Sequence, residues 1–424
     1  MGEWYYPLVR PHPQRMNLRL YELYKTCRKI LALTIIAVVL FVADSEMQIN
    51  ARMPAASPSV MKDQYLMLVN TAMARQMDAY KLAQFDRSPY DGLAVSFSDA
   101  YDVSPVPTLA SMQMQIGSWK KSTRKQIWPW VYLNRMIGAD GAEGNELTKV
   151  PYFQKFQGLD LDGKAGAQSD FLENWRNGLR AARNTGVPGI VFDLEFYNNY
   201  KADDIAELAR MTSMPKPETL QALQTLGKRM ADIAASEYPG AMIWILFSGF
   251  TRPDYRIIDG QPYFLAGTYI VEGLLDQIQQ QHLPLRALSG GELGLGYCHS
   301  SVEDLRQAIE KRAAIFAPLL QKYKGILELG GTMTLWSDTS AKKNWVAQGN
   351  CQSSSAATVE DLVPYMELLF RSYRYNWIYG SPNGGYLAFN PEAAPRFDAA
   401  IAKAKQQAYT QEGGASLLIP KVAR

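Results

Sequence analysis

The chain of 424 residues is 47% hydrophobic and 20% charged, the proportions of a globular protein with a sizeable core, which excludes a disordered or low-complexity chain. Its first 45 residues hold six basic and three acidic side chains, leaving 38 of each in the remainder, so the body has no net charge to draw it toward nucleic acid. Three histidines (His12, His282, His299) and three cysteines, with no HExxH or paired-cysteine spacing, point away from a zinc site, and no cofactor is expected.

Taken in order, Arg10, Arg15, Arg19, Lys25, Arg28 and Lys29 precede the apolar run Ile30–Ala43. Its 14 residues fall short of the about 20 that span a bilayer but suit a signal-peptide core, with small residues at Ala43-Asp-Ser45 for cleavage. Residues 1–45 are therefore a signal peptide or an uncleaved anchor, and either reading exports the rest, with the basic flank inside. Cys27 lies in this leader; in an exported setting Cys298 and Cys351 form a disulfide or stay as two buried thiols. Residues 46–88 read as a Pro/Ser/Ala linker and a lead-in helix over Met61–Leu82.

Alternation and β-branched content then predict a strand in Tyr90–Ser98, a helix in Pro107–Arg124 and a strand in Ile127–Asn134, where Pro129 is awkward for a central position. Residues 138–168 read as a long loop. Asp160-Leu-Asp-Gly163 opens like a calcium loop, but Lys164 falls where a third ligand is wanted, so no metal is assigned. Ser169 or Asp170 caps a helix carrying Phe171, Trp175, Leu179 and Ala182, and Gly186 and Pro188 end it. Ile190-Val-Phe192 is a buried strand that delivers Asp193, Glu195 and Tyr197 to one face.

Pro217 and Glu218 open a helix, and Ala241–Ser248 is an apolar run suited to a parallel strand covered on both sides. Pro262–Gln281 fits a helix better than a strand. Leu288–Tyr297 is a Gly-laden strand end, and Ser300-Ser-Val-Glu303 is a capping box for the helix of Leu305, Ile309, Phe316 and Leu320. A strand lies within Ile326–Trp336, Thr358 caps a helix with Leu362, Leu369 and Tyr373, and Tyr375–Tyr379 is the last strand. The tail 411–424 reads as loose.

These seven strands alternating with helices imply a (β/α)8 TIM-type barrel over residues 89–410 rather than an open doubly wound sheet, since no Gly-rich phosphate fingerprint follows an early strand. The site of such a barrel lies at the C-terminal ends of its strands. Collected there are Tyr132, Asn134, Asp193, Glu195, Tyr197, Glu292, Tyr297, Trp336, Asp338, Trp377 and Tyr379, a mixture of carboxylates, amides and aromatics that suits sugar rings and hydroxyls. Cleaving a glycosidic bond takes one proton-donating carboxyl and one carboxylate as base or nucleophile. Glu195 and Glu292 are the expected pair, with Asp193 beneath Glu195 raising its pKa. Asp338 is the alternative partner, or Glu272 if its segment returns to the rim. Tyr132, Asn134, Tyr197, Tyr297, Trp336, Asp338, Trp377 and Tyr379 are the expected substrate contacts. No Gly-x-Ser-x-Gly elbow is present, and Cys298 beside His299 suits a disulfide or a buried pair better than a thiol nucleophile.

Phe192-Asp-Leu-Glu-Phe-Tyr197 resembles the Asp-x-Glu strand ends of the (β/α)8-barrel glycoside hydrolase superfamily, including its chitinase-like group. The Gly-Gly-Glu292 strand, the Trp336-Ser-Asp338 end and Tyr375-Asn-Trp-Ile-Tyr379 resemble the same superfamily, over about residues 90–395. Gly189-Ile-Val-Phe192 stands where the longer chitinase signature has spaced aspartates, a departure that bears on N-acetyl-assisted chemistry and chitin. The expectation is an exported glycoside hydrolase acting on a poly- or oligosaccharide, periplasmic, extracellular or anchored facing outward. It has no nucleic-acid partner and meets the membrane only through the N-terminal segment. The alternative is a barrel that binds glycan without cutting it, as an accessory to polysaccharide synthesis or export.

Overall fold

The computed structural model describes residues 64–73, 77–97, 106–133, 160–164, 166–194, 204–246, 255–258, 261–264, 266–292, 295, 299–334, 359–380, 389 and 394–410. The predicted leader, Asn134, Glu195, Tyr197, Tyr297, Cys298, Trp336, Asp338, Cys351, Thr358 and the tail 411–424 lie outside them. The described residues all fall in one compact unit, 56–424.

Nine parallel strand segments form one sheet: β1 (Tyr65–Met73), β2 (Gly92–Ser96), β3 (Gln126–Tyr132), β4 (Gly189–Asp193), β5 (Met242–Ile245), β8 (Arg286–Ser289), β9 (Leu327–Leu329), β10 (Gly331–Thr334) and β11 (Tyr375–Gly380). Pairing runs β10-β11-β1-β2-β3-β4-β5-β8-β9, and β9 and β10, at the two ends of this order, are one strand broken at Gly330. The first half of that strand pairs with β8 and the second with β11, so eight strands close into a TIM-type barrel. Helices α1 (Ala79–Arg87), α2 (Leu109–Trp119), α3 (Ala167–Thr185), α4 (Ile205–Thr212), α5 (Lys216–Glu237), α6 (Ala266–Gln280), α7 (Val302–Lys322), α8 (Val363–Ser372) and α9 (Ala394–Thr410) fill the connections. An antiparallel hairpin, β6 (Tyr255–Ile258) with β7 (Gln261–Phe264), lies between β5 and α6.

The lead-in helix expected over Met61–Leu82 is a correction. Residues 65–73 are the barrel's first strand, upstream of the expected start at residue 89, and the helix begins at Ala79. Tyr65-Leu-Met-Leu-Val69 is buried at every position, so it has no alternation to betray a strand, and Leu and Met favour helices in isolation. Two caps also move. Helix α3 begins at Ala167 behind Gly166, which has φ +79° and no capping side chain. The box at α7 is Ser301 with Asp304, whose amide donates to Ser301 Oγ while its carboxylate accepts from the Ser300 amide.

Pro129 stands inside β3 after all. It points outward with Val131 toward Gly178 of α3, where a Cβ would come within 3.1 Å of Val131 Cγ2 and 3.8 Å of Pro129 Cβ, so a glycine lets helix and strand approach. The inward face is aromatic. Tyr65, Trp128 and Trp244 come from alternate strands with ring centroids 5.9–6.1 Å apart, and Tyr375 joins them 6.1 Å from Trp244. Trp128 Nε1 donates to Tyr65 Oη at 2.7 Å, which donates to Gln126 Oε1 at 2.7 Å. A Cβ on Gly92 would lie 2.1 Å from Tyr65 Oη, so the ring occupies space that glycine leaves. These rings fill the lower part of the barrel toward the amino ends of the strands.

At that end α9 is tied in by charge. Lys405 Nζ donates to Pro89 O at 2.7 Å and to Asp91 Oδ2 at 2.9 Å, and the same oxygen accepts from the Leu66 amide at 2.9 Å. Lys125 donates to the carbonyls of Ser88 and Tyr90. Burial brings Lys125 down to about 8 and pushes Asp398, on α9, up to about 6 against the pull of Lys125.

Candidate active site

Strand register decides what shares the barrel's upper interior. Partners in parallel strands point the same way, and Tyr132 is registered with Asp193, Trp130 with both Val191 and Ser96, and Tyr379 with Val69. From the inward rings of Tyr65, Trp128 and Trp244, the same parity carries Tyr132 and Asp193 to the inside at the C-terminal ends of β3 and β4. Asp193 is 1% exposed and Tyr132 is also buried. The Tyr132 ring lies 4.8 Å from that of Trp130, tilted by 33°. A buried carboxylate beside two packed aromatics is the central feature of this mouth.

Glu292 arrives by a tightly built turn after β8. The Gly290 amide donates to Ile245 O at 2.6 Å, and a Cβ on Gly290 would come within 2.7 Å of that oxygen. Gly291 has φ +91°, and a Cβ there would meet Gly330 O at 2.9 Å and the Arg312 guanidinium at 3.0 Å. Both glycines are required, one by close approach and one also by its backbone angle. Glu292 itself is half-buried at the same end of the barrel as Asp193. Two of the three expected catalytic residues thus stand at one mouth, and the third, Glu195, follows Asp193 by two residues outside the described set.

Trp377 and Tyr379 share the inward face of β11, with rings 6.5 Å apart. Trp377 is 1% exposed, and its Nε1 donates to Gly290 O at 2.8 Å. Tyr379, further toward the C-terminal end, is half-buried. The segment of Glu272 is the expected helix, α6, which packs on α5, and there Glu272 accepts from Gln224 of α5 at 3.3 Å. His299 is held at the start of α7, 3.8 Å from Asp304, and burial lowers its pKa.

Arg312 was not among the expected residues. It is 1% exposed on α7, with Nη1 donating to Gly330 O at 2.6 Å and Nη2 to Ser289 Oγ at 2.9 Å. Its signal was present in the sequence, since Leu305, Ile309, Arg312 and Phe316 share one helical stripe, with an arginine where a leucine is expected. Among the described residues no group of His, Cys, Asp and Glu could hold a metal ion, and no helix is long and apolar enough to cross a membrane.

No protein-family model and no curated protein sequence matches the chain. Among solved structures it is similar to a GH18 chitinase from Pseudoalteromonas aurantia, at 12% identity and TM-score 0.38, covering 80% of this chain and 100% of that one. It is similar to the catalytic domain of a β-amylase from Paenibacillus polymyxa, at 10% identity and TM-score 0.43, covering 82% and 100%. Endonuclease IV from Thermus thermophilus is similar at 8% identity and TM-score 0.38, covering 82% and 99%. Barrel glycoside hydrolases recur in this group, and at these values the likeness is one of fold alone.

Proposed function

We propose that the chain is an exported glycoside hydrolase that cleaves a poly- or oligosaccharide with two carboxyl groups at the C-terminal mouth of its barrel. The observation that supports this reading is that Tyr132, Asp193 and the Gly290-Gly291-Glu292 turn all stand at the C-terminal ends of their strands, the end where such barrels do their chemistry. Glu195 protonates the leaving oxygen. Glu292 acts as general base or nucleophile. Asp193, two residues before Glu195, is in this reading the negative charge that raises its neighbour's pKa and keeps it protonated near neutral pH. Tyr197, Tyr297, Trp336 and Tyr379 offer ring faces, Asn134 and Asp338 bond hydroxyls, and the buried Tyr132, packed on Trp130, backs the site. Trp377, buried at 1% exposure, contributes through the turn it holds. Export rests on the basic flank and the apolar run Ile30–Ala43.

The test is a panel of oligosaccharides and aryl glycosides presented to the full chain and to Glu195→Gln, followed by product release and by binding. The unmodified chain should release product, and Glu195→Gln should lose hydrolysis while keeping glycan binding and thermal stability. Undiminished turnover by Glu195→Gln removes the assignment. Binding without release by the unmodified chain replaces it with a glycan-binding barrel.

A further inference from the structure

Arg312 reaches the barrel from outside and joins the C-terminal end of β8 to the break between β9 and β10. Its Nη1 donates to Gly330 O at 2.6 Å, at the break between β9 and β10. Its Nη2 donates to the carbonyl and hydroxyl of Ser289, the last residue of β8, at 3.2 and 2.9 Å. The guanidinium lies 5.3 Å from the Phe316 ring and 5.4 Å from that of Tyr373, while Nε is buried without an acceptor. Burying a cation on neutral oxygens is costly. A core that only had to be filled would place leucine or methionine at this position of the stripe.

What the cation secures is the backbone immediately before Glu292. Ser289 is bonded by Arg312, Gly291 rests against the guanidinium, and Gly290, between them, accepts from Trp377 Nε1 at 2.8 Å from inside the barrel. Three consecutive residues are thus gripped from two sides of the sheet. Arginine suits this because its planar fork can serve two strands at once, where an ammonium is a single point.

We infer that Arg312 is a positioning residue which, with Trp377, fixes the Ser289-Gly290-Gly291 backbone so that the Glu292 carboxyl is presented at the mouth; the inference rests on Glu292 being the base or nucleophile. Misplacing a reacting group by about 1 Å costs on the order of 100-fold in rate, so losing the grip lowers kcat and leaves KM nearly unchanged.

The experiment compares the full chain with Arg312→Met, Arg312→Lys and Trp377→Phe in two ways. The first is amide hydrogen exchange at Gly290, which donates to Ile245 O, and at Leu295, which donates to Gly291 O. Exchange there should rise about tenfold or more in Arg312→Met and Trp377→Phe, with the amides of β3 and β4 unchanged and partial recovery in Arg312→Lys. The second is kinetics on whichever methylumbelliferyl glycoside of a panel the unmodified chain turns over fastest. There kcat should fall roughly 10- to 100-fold with KM within about threefold. Should Arg312→Met fail to fold, Trp377→Phe, which keeps a ring and removes only the donor, carries both measurements. Exchange that rises only in step with every other amide, or kcat equal to that of the unmodified chain, overturns the inference. If the unmodified chain turns over no glycoside, the reading of Glu292 fails separately. Exchange at Gly290 and Leu295 then still decides whether Arg312 grips the turn.

Discussion

The two ends of the barrel are built on opposite principles. Toward the amino ends of the strands, Tyr65, Trp128, Trp244 and Tyr375 fill the interior with rings, and the hydroxyl of Tyr65 is used between Trp128 and Gln126. Toward the carboxyl ends, the inward positions turn to Tyr132, Asp193 and a glycine turn leading to Glu292. A large aromatic stabilises the fold through the area it buries, whereas a buried carboxylate adds nothing to stability unless it is bonded or used. One end therefore holds the fold and the other, on the proposed reading, is arranged for chemistry, which separates the consequences of changing them.

The largest effect expected is at the mouth. Glu292→Gln should lower turnover on the true substrate about 1000-fold, near 4 kcal/mol in transition-state terms, while the unfolding midpoint moves little. A comparable loss of stability would show that Glu292 belongs with the structural end. At the ring-filled end, Trp244→Ala should cost about 3–5 kcal/mol in urea unfolding, the usual penalty for emptying a buried tryptophan site. Gly92→Ala should cost about 1–3 kcal/mol, because the new methyl would sit 2.1 Å from Tyr65 Oη. A neutral Gly92→Ala would mean that the rings have room to shift.

A smaller, pH-dependent effect sharpens the contrast. Burial raises Asp398 from 3.8 to about 6 in the folded chain. Its contribution is favourable below about pH 4, where the carboxyl is neutral in both states, and is lost as pH rises through about 6. Asp398→Asn should therefore raise stability above pH 7 by roughly 1–2 kcal/mol, discounted for partial exposure, and change little at pH 4. Thermal melts of both proteins at pH 4 and pH 7.5 measure it, and an equal shift at both values would contradict the assigned cause.

Much of this architecture can be read from the chain, and what cannot has identifiable reasons. Strands such as Ile190-Val-Phe192 and Met242–Ile245 are bounded by turn residues, so their type is plain before any fold is known. Tyr65–Val69 is just as apolar but lacks such an N-terminal boundary and is rich in residues that favour helices, so only pairing with β11 and β2 reveals it. Asp193 and Glu292 stand out as carboxylates at strand ends. The environment of Glu292 does not, because it depends on Arg312, Trp377 and Gly330, which are 20, 85 and 38 residues further along. Trp377 illustrates the limit: its position on an inward face follows from alternation, while the bond of its indole to Gly290 follows only from barrel closure.

The most direct measurement is the separation of the Glu195 and Glu292 carboxyl groups in a crystal of the protein with an oligosaccharide bound at the mouth. Two-carboxylate hydrolysis predicts about 5–5.5 Å for a retaining enzyme or about 6.5–9.5 Å for an inverting one, with the glycosidic oxygen between them. A separation beyond about 12 Å with no third carboxylate within reach of the sugar, outside either mechanism, would contradict it.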